Sequence, residues 1–301
     1  MLDAEIDRSD ICSFNLLNYV RTFGHYAKSR SLIFIFPWAT FISVLIAANG
    51  YPDPFAAGMA VSASYLVLLA IYSYNDVVDL NVDRINAPDR PLVSGRVAKK
   101  EVIRLVWILN GSALAIATMI NLYTTLIVAI LILIGILYSH PKTHYKDIFP
   151  LKTLLTATGA ALASLIGGAA MDNLSLYVIY TAMVFFAFES ALASLGDIHD
   201  LRGDKAAGRR TFPIVLGLMP TIVMMMIIIM SIALTAVMVS NLLSINIIGL
   251  MMIIAICCMS AAMLRGLLRK YDNRPYVKRT RYTMRFVHVL LQFALFIGII
   301  F

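Results

Sequence analysis

One long apolar segment ends in the stretch Asn75-Asp76-Val77-Val78-Asp79-Leu80-Asn81-Val82-Asp83. A second apolar segment, farther along the chain, ends in Asp197, Asp200 and Asp204. In both sets the carboxylates have the spacing i, i+3, i+7, which places them on one face of a continuous α-helix. A membrane helix does not tolerate carboxylates against lipid, so both faces are predicted to look into a cavity. We name these sets the first and second acidic motifs.

Composition indicates a polytopic membrane protein. The 301 residues are 60% hydrophobic and 14% charged, whereas soluble domains average about 45–50% apolar and about 25% charged residues. Segments long enough to cross a bilayer are predicted at 31–49, 56–79, 103–122, 124–140, 151–171, 174–199, 212–239, 243–265 and 284–301. Residues 1–30 are interpreted as a cytoplasmic N-terminal segment, and 31–301 as a single membrane domain.

The distribution of basic residues predicts the topology. Every Lys and Arg falls in one of five regions: 8–30, 84–104, 142–152, 202–210 and 265–285. The other connections contain none, so basic and non-basic connections alternate across nine spans. Cytoplasmic loops carry the excess of Lys and Arg, which places the N-terminus inside and the C-terminus outside the cell membrane. The net charge of +8 therefore lies on one face, where it favours contact with anionic membrane lipid rather than with nucleic acid.

The acidic motifs predict a magnesium site. Clustered carboxylates repel one another unless cations lie between them, and Mg²⁺ prefers a few carboxylates together with water and phosphate oxygens. The predicted ligands, in a site shared with a diphosphate, are Asn75, Asp76, Asp79, Asp83, Asp197, Asp200 and Asp204. Neutralising a prenyl diphosphate in this way lets its allylic C–O bond ionise, with Asp76, Asp79, Asp197 and Asp200 as catalytic residues.

Basic and polar residues near the motifs are candidates for binding the diphosphate. They flank the motifs or lie on the same side of the membrane: Arg30, Arg90, Tyr138, Ser139, Lys142, Lys146, Lys205, Arg209 and Arg210. Most of the basic cluster at 265–285 is attributed to topology and lipid contact instead.

Glu189 is an isolated carboxylate inside a predicted span, two helical turns from Asp197 on nearly the same face. Such a residue indicates a functional site. It is predicted either to bind or deprotonate an acceptor hydroxyl, as a catalytic residue, or to pair with a neighbouring helix.

These motifs resemble a known family. Asn75-Asp76-x-x-Asp79-x-x-x-Asp83, Arg90-Pro91-x-x-Ser94-Gly95, Tyr138-Ser139 and Asp197-x-x-Asp200-x-x-x-Asp204 are similar to those of the UbiA superfamily of intramembrane prenyltransferases. The resemblance implies an all-α bundle of nine spans around a central cavity, Mg²⁺ dependence, a prenyl diphosphate donor and a lipophilic acceptor.

Stretches 75–97 and 197–213 look most like the archaeal branch that joins geranylgeranyl diphosphate to geranylgeranylglyceryl phosphate in ether-lipid synthesis. The chain departs from that branch at Leu192-Ala193, where Arg-Glu is usual, at Gly196, where Lys is usual, and at Arg30-Ser31, where Arg-Pro is usual. These departures affect the part of the site that would recognise an acceptor. An aromatic acceptor, a quinone or phenazine precursor, is therefore an alternative.

Two other classes of protein share some of these features. A cation-coupled transporter also carries intramembrane carboxylates, although usually near the bilayer midplane, beside helices interrupted by Gly or Pro. A membrane diphosphatase would use the same Mg²⁺ site with water as acceptor, and only analysis of the products distinguishes it from a prenyltransferase.

Overall fold

The computed structural model describes residues 16–301, and within that range the chain contains helices and no strand. The prediction of an all-α chain is thus confirmed for these residues. The α-helices are α1 (Leu16–Ser29), α2 (Ile35–Ala47), α3 (Pro54–Val78), α4 (Leu80–Asn86), α5 (Lys99–Ile120), α6 (Leu122–Ser139), α7 (Leu151–Ala170), α8 (Leu176–His199), α9 (Leu201–Ala206), α10 (Phe212–Val215), α11 (Leu218–Val239), α12 (Ile247–Lys270) and α13 (Arg274–Ile300).

Within residues 16–301, eight helices are long and apolar enough to cross a membrane, and there are nine candidates if one bent pair counts as a span. That pair is residues 17–29 and 31–47, which meet at an angle of 76°. Of the predicted N-terminal segment 1–30, residues 1–15 lie outside the described residues. The rest of that segment forms α1, which packs against α5 and α3 and buries Thr22 and Tyr26. This packing does not test whether the membrane domain begins at residue 31, so that boundary stays a prediction.

Two predicted spans differ from the helices observed. The segment 212–239 is divided by Gly217, whose φ of +91° is readily accessible only to glycine, so α11 begins at Leu218. The final helix begins ten residues earlier than the predicted span 284–301, at Arg274. Asn273 caps it by accepting a hydrogen bond from the Tyr276 backbone N–H at 3.0 Å. Part of the basic cluster at 265–285 is therefore helical and belongs to α13.

Small and hydroxylated residues bring the central helices close together. Thr40 of α2 donates a hydrogen bond of 2.7 Å to the Ala163 carbonyl of α7. Gly167, one turn farther along α7, has no room for a side chain, because a Cβ there would lie 2.2 Å from the Thr40 carbonyl oxygen. Close approach at small residues is the usual way in which membrane helices associate. It fixes α2, α7 and α8 around the cavity described below.

Candidate active site

Both acidic motifs span a bend in the backbone. Asp79 separates α3 from α4 and has φ −88° and ψ 12°, and Asp200 separates α8 from α9 with φ −95° and ψ 8°. These angles lie in the bridge region rather than in the α-helical region. The prediction that each motif lies on one face of a continuous helix is wrong, because the helix ends at the middle carboxylate. The bends occur at equivalent positions, so the two motifs have similar local geometry.

Asp76 and Asp83 of the first motif are paired with arginines. Arg30 forms an ion pair with Asp76. Arg90 lies 3.1 Å from the same carboxylate and also forms an ion pair with Asp83. Burial raises the pKa of the Asp83 carboxyl, and the nearby charges of Arg90 and Arg30 only partly oppose that effect. Arg90, in the loop after α4, thus contacts two carboxylates of the first motif.

Asp79 contacts cations from two distant parts of the chain. Lys146 Nζ lies 2.6 Å from Asp79 Oδ1, and Arg209 forms an ion pair with the same oxygen. Burial would raise the pKa of this carboxyl, but the charges of Lys146 and Arg209 outweigh it and hold the pKa below its ordinary value. Ser139 donates a hydrogen bond of 3.2 Å to Asn75 Oδ1, which brings the end of α6 to the same place.

The second motif is organised around Lys152, at the start of α7. Its Nζ lies 2.7 Å from Asp197 Oδ1 and 2.8 Å from Asp204 Oδ2. Arg209 lies 3.2 Å from Asp204, so it connects the two motifs. Asp200 accepts a hydrogen bond of 2.7 Å from His199. Burial would raise the pKa of Asp200, but this bond and the charge of Arg281 lower it to about 2.

A polar contact joins the two short helices that follow the bends. Asn86 of α4 donates a hydrogen bond of 3.1 Å to the Asp200 carbonyl and accepts one of 3.1 Å from the Gly203 backbone N–H. A Cβ on Gly203 would lie 2.3 Å from the Asn86 amide nitrogen. The absence of a side chain at Gly203 therefore lets α4 and α9 meet and sets the distance between the motifs.

We expect Gly203→Ala to lower turnover severalfold, because a Cβ there displaces the Asn86 amide from two hydrogen bonds, each worth about 0.5–1.5 kcal/mol. Steady-state kinetics and thermal unfolding of the purified protein measure this. Gly58→Ala is the matched control, since a Cβ there meets nothing within 4 Å. Equal turnover in the two variants would contradict the spacing role of Gly203.

The two motifs line one cavity with an empty volume of about 1210 Å³, part of it open to the outside. The polar end contains carboxylates of both motifs together with Arg30, Arg90, Lys152 and Arg209. The lining continues over apolar side chains, among them Phe36, Leu68, Ile71, Leu131, Ile134 and Leu192. The cavity therefore offers a charged end and an apolar wall that adjoin each other.

Glu189 also lines the cavity and is 1% exposed. Its nearest basic group is the His288 imidazole of α13, with 3.9 Å between Oε2 and Nδ1, and Oε2 accepts no hydrogen bond from the described residues. The sequence left two roles open for Glu189, and the observed position has features of both. It faces a neighbouring helix and it borders the cavity.

The structure brings together most of the predicted diphosphate-binding residues. Arg30, Arg90, Lys146 and Arg209 contact motif carboxylates, Tyr138 lines the cavity, and Ser139 contacts Asn75. Three others are exposed and do not line the cavity: Lys142, Lys205 and Arg210.

Sequence reasoning missed Lys152, Arg281 and Arg285, all of which line the cavity. Lys152 was attributed to a cytoplasmic loop, although a lysine within a predicted span is itself a signal of function. Most of the basic cluster at 265–285 was attributed to topology and lipid contact, but Arg281 and Arg285 of α13 line the cavity. Their i, i+4 spacing on a helix was the available signal.

The donor atoms at this site suit a metal that is shared with a ligand. Among residues 16–301, no three His, Cys, Asp or Glu side chains lie close enough to hold a metal ion by themselves. The oxygens available are carboxylates now paired with Lys or Arg, and the buried Asp197 Oδ2 has no partner. Mg²⁺ is usually held by one or two carboxylates plus substrate phosphates, so the residues fit a Mg²⁺–diphosphate rather than a closed protein cage.

Comparisons with known proteins give consistent results. A model of the UbiA prenyltransferase family matches residues 36–291. A relative from Halobacterium salinarum named digeranylgeranylglyceryl phosphate synthase is 33% identical over 190 residues, which cover 59% of this chain and 63% of that relative.

Solved structures show the same fold. A structure described as that of digeranylgeranylglyceryl phosphate synthase in membranes superposes with a TM-score of 0.72 at 22% identity, over 95% of this chain and 98% of that one. A UbiA homologue from Archaeoglobus fulgidus bound to GPP and Mg²⁺ superposes with a TM-score of 0.63 at 19% identity, over 93% of this chain and 99% of that one.

Proposed function

The chain belongs to the UbiA prenyltransferase family, and we propose that it transfers geranylgeranyl from its diphosphate to geranylgeranylglyceryl phosphate with Mg²⁺ as cofactor. The names of the relatives support the reaction, and the ligands of the A. fulgidus homologue support the donor class and the metal. The observation that carries the proposal is the cavity, in which two facing acidic motifs adjoin an apolar interior.

The membrane arrangement proposed from the sequence accompanies this function. Residues 31–301 form one domain of nine spans in the cell membrane, with the N-terminus and the active site on the cytoplasmic side and the C-terminus outside. Its first span is the arm 31–47 of the bent pair, and the other arm, 17–29, belongs to the cytoplasmic segment. All basic loops then lie on the side where the acidic motifs lie.

The acidic motifs are proposed to hold the metal–diphosphate from two sides. Bound Mg²⁺ neutralises the diphosphate and makes it a better leaving group. Asn75, Asp76, Asp79 and Asp83 bind on one side, and Asp197, Asp200 and Asp204 on the other. In the structure these carboxylates are balanced by basic side chains, which are then available to the phosphate oxygens.

The basic residues are proposed to stabilise the charge that develops as the allylic C–O bond breaks. Lys146 contacts the first motif, Lys152 contacts the second, and Arg209 contacts both, while Arg30 and Arg90 adjoin Asp76. Fixed cations directed at developing negative charge supply a large part of catalysis in many enzymes. Tyr138 and Ser139, at the end of α6, complete the polar wall, and the apolar wall keeps water from the allylic carbon.

Glu189 is proposed as the base for the acceptor hydroxyl. The hydroxyl oxygen forms the new ether bond to the allylic carbon, the C–O bond to the diphosphate breaks, and the proton moves to Glu189. Its buried, unpartnered Oε2 at the cavity wall supports this role. Its position between the motifs and the apolar interior suits a group that meets the acceptor rather than the diphosphate.

Glu189→Gln should lower transfer to the hydroxyl acceptor about a hundredfold or more, because general-base catalysis contributes about 10²–10⁴-fold. Hydrolysis of the donor by water, measured in the same samples without acceptor, serves as an internal control and should change much less. Unchanged transfer would remove Glu189 from the mechanism, and an equal loss of hydrolysis would indicate a role in donor ionisation.

A product assay on the purified protein tests the function. It contains Mg²⁺ and labelled geranylgeranyl diphosphate, with geranylgeranylglyceryl phosphate in one sample, 4-hydroxybenzoate in a second and EDTA in a third. We expect an EDTA-sensitive diether in the first sample. Product only in the second would replace the acceptor by an aromatic compound, and release of prenyl alcohol alone would indicate a diphosphatase. Failure to bind the donor at all would contradict the proposal and favour a transporter.

A further inference from the structure

Three polar residues of α13 lie on one face of the helix and look towards the cavity region. Arg281, Arg285 and His288 have the spacing i, i+4, i+7, and both arginines line the cavity. They approach it from α13, whereas Lys146, Lys152 and Arg209 approach from the 3₁₀ turn Tyr145–Asp147, from α7 and from the segment after α9. The cavity therefore has a second group of cations, which comes from a different helix.

These two arginines are weakly paired compared with the other cations of the site. Among the described residues Arg285 has no carboxylate within 4.0 Å, its Nε has no hydrogen-bond partner, and NH1 donates only to the Leu32 carbonyl at 3.4 Å. Arg281 lies 3.8 Å from Asp200 and 3.5 Å from the His199 ring. By contrast, Lys152 lies within 2.8 Å of two carboxylates. A guanidinium group that faces a cavity without a close counter-ion, as Arg285 does, is suited to an anion supplied by a ligand.

Gly196 and Tyr72 border the arginines at this end of the cavity. Gly196 of α8 has no side chain, and a Cβ there would lie 3.5 Å from Arg281 NH2, so the guanidinium lies over the bare helix surface. Arg30 lies over the Tyr72 ring at 5.4 Å from its centroid, and both residues line the same cavity. Three guanidinium groups thus border this end of the cavity.

Arg285 lies close along α13 to the residue that approaches Glu189, the proposed base. His288 lies three residues beyond Arg285, about 4.5 Å farther along the helix axis. Glu189 Oε2 lies 3.9 Å from His288 Nδ1. Arg285 and the residue of α13 that approaches Glu189 therefore lie within one helical turn of each other, which suits a molecule that carries its anionic group close to its reacting hydroxyl.

We propose that Arg281 and Arg285 form a second anion site, which binds the phosphate monoester of the lipid acceptor and thereby directs its free hydroxyl to Glu189. This proposal rests on the proposed transferase function. It assigns the specificity for a phosphorylated acceptor to α13, which meets the second acidic motif at Asp200 through Arg281.

Binding and kinetics of the full-length protein in detergent test this site. The probes are a glycerol monoether phosphate, the same monoether without phosphate, and the donor diphosphate with Mg²⁺. The variants are Arg285→Gln, Arg281→Gln and Arg285→Lys, and Arg279→Gln is the matched control, an exposed arginine of the same helix outside the cavity lining. We expect Arg285→Gln to raise Kd and KM for the phosphorylated ether about 10- to 100-fold. Values for the neutral ether and the donor should change less than about threefold.

The outcomes separate this site from the transfer reaction. Partial recovery in Arg285→Lys and wild-type behaviour in Arg279→Gln would support the site, and Arg281→Gln provides an independent measurement if Arg285→Gln does not fold. In another outcome the protein binds the phosphorylated ether through Arg285 and yet transfers a prenyl group to no acceptor. That result would support the anion site and reject the proposed transferase function. Equal losses for both ethers, or a greater loss for the donor, would overturn the proposal.

Discussion

Replacing Asp76 by Asn is expected to lower kcat about a thousandfold or more while leaving the protein folded. The Asp76 carboxylate is 1% exposed and contacts Arg30 and Arg90. Asn preserves its volume and one acceptor oxygen but removes the negative charge that a Mg²⁺–diphosphate requires. Turnover with saturating donor and Mg²⁺, together with the unfolding temperature in detergent, measures both parts of the prediction.

Asp89→Asn is the control for the Asp76 variant. Asp89 is an exposed carboxylate in the loop after α4 and does not line the cavity. Its variant should retain wild-type turnover at all Mg²⁺ concentrations. Near-normal turnover in a folded Asp76→Asn protein would contradict the proposed metal site.

The composition was sufficient to predict a helical chain of bilayer-length apolar segments, and the two acidic motifs predicted carboxylates that line a cavity. Apolar length determines which segments can cross a bilayer, and carboxylates at the ends of such segments must find cations. Both features are local in sequence. The bends at Asp79 and Asp200 were not predicted, because a periodic spacing of carboxylates is the same whether the helix continues or ends at the middle residue.

The partners of the motifs were harder to predict because they come from distant segments. Lys152 pairs with residues about fifty positions away, and Arg209 meets Asp79 across 130 positions. Such pairings depend on how α7, α8 and α3 pack, and the sequence alone does not contain the distances. Arg281 and Arg285 were missed for a different reason. A high local density of Lys and Arg was interpreted as topology, which concealed the two residues whose helical face points inward.

The pairing of every motif carboxylate with a basic side chain has a consequence for stability. Clustered buried carboxylates are tolerated only with counter-charges, and here Lys and Arg occupy that role. A bound Mg²⁺–diphosphate would supply some of the same counter-charge. Replacing one of these Lys or Arg residues should therefore lower the stability of the protein most when metal and diphosphate are absent.

Lys152→Met is expected to lower the unfolding temperature by about 5 °C or more in EDTA, since breaking a buried pair costs about 3–5 kcal/mol. Asp197 is 3% exposed, and Lys152 is its only ion-pair partner within 4.0 Å among the described residues. Adding Mg²⁺ with inorganic diphosphate should raise the unfolding temperature of the variant more than that of the wild type. Turnover should fall about a hundredfold or more, because a cation directed at the leaving diphosphate is lost.

The ligand dependence of the unfolding temperature distinguishes an electrostatic role of Lys152 from a packing role. If Lys152 mainly fills space at the start of α7, Met restores most of the contacts and the unfolding temperature hardly changes. If it neutralises Asp197 and Asp204, the loss is large in EDTA and smaller with Mg²⁺ and diphosphate. Lys278→Met, which removes an exposed lysine of α13, should show neither effect. An equal loss of stability with and without ligand would contradict a shared site, because it would mean that the metal–diphosphate does not reach the carboxylates that Lys152 holds.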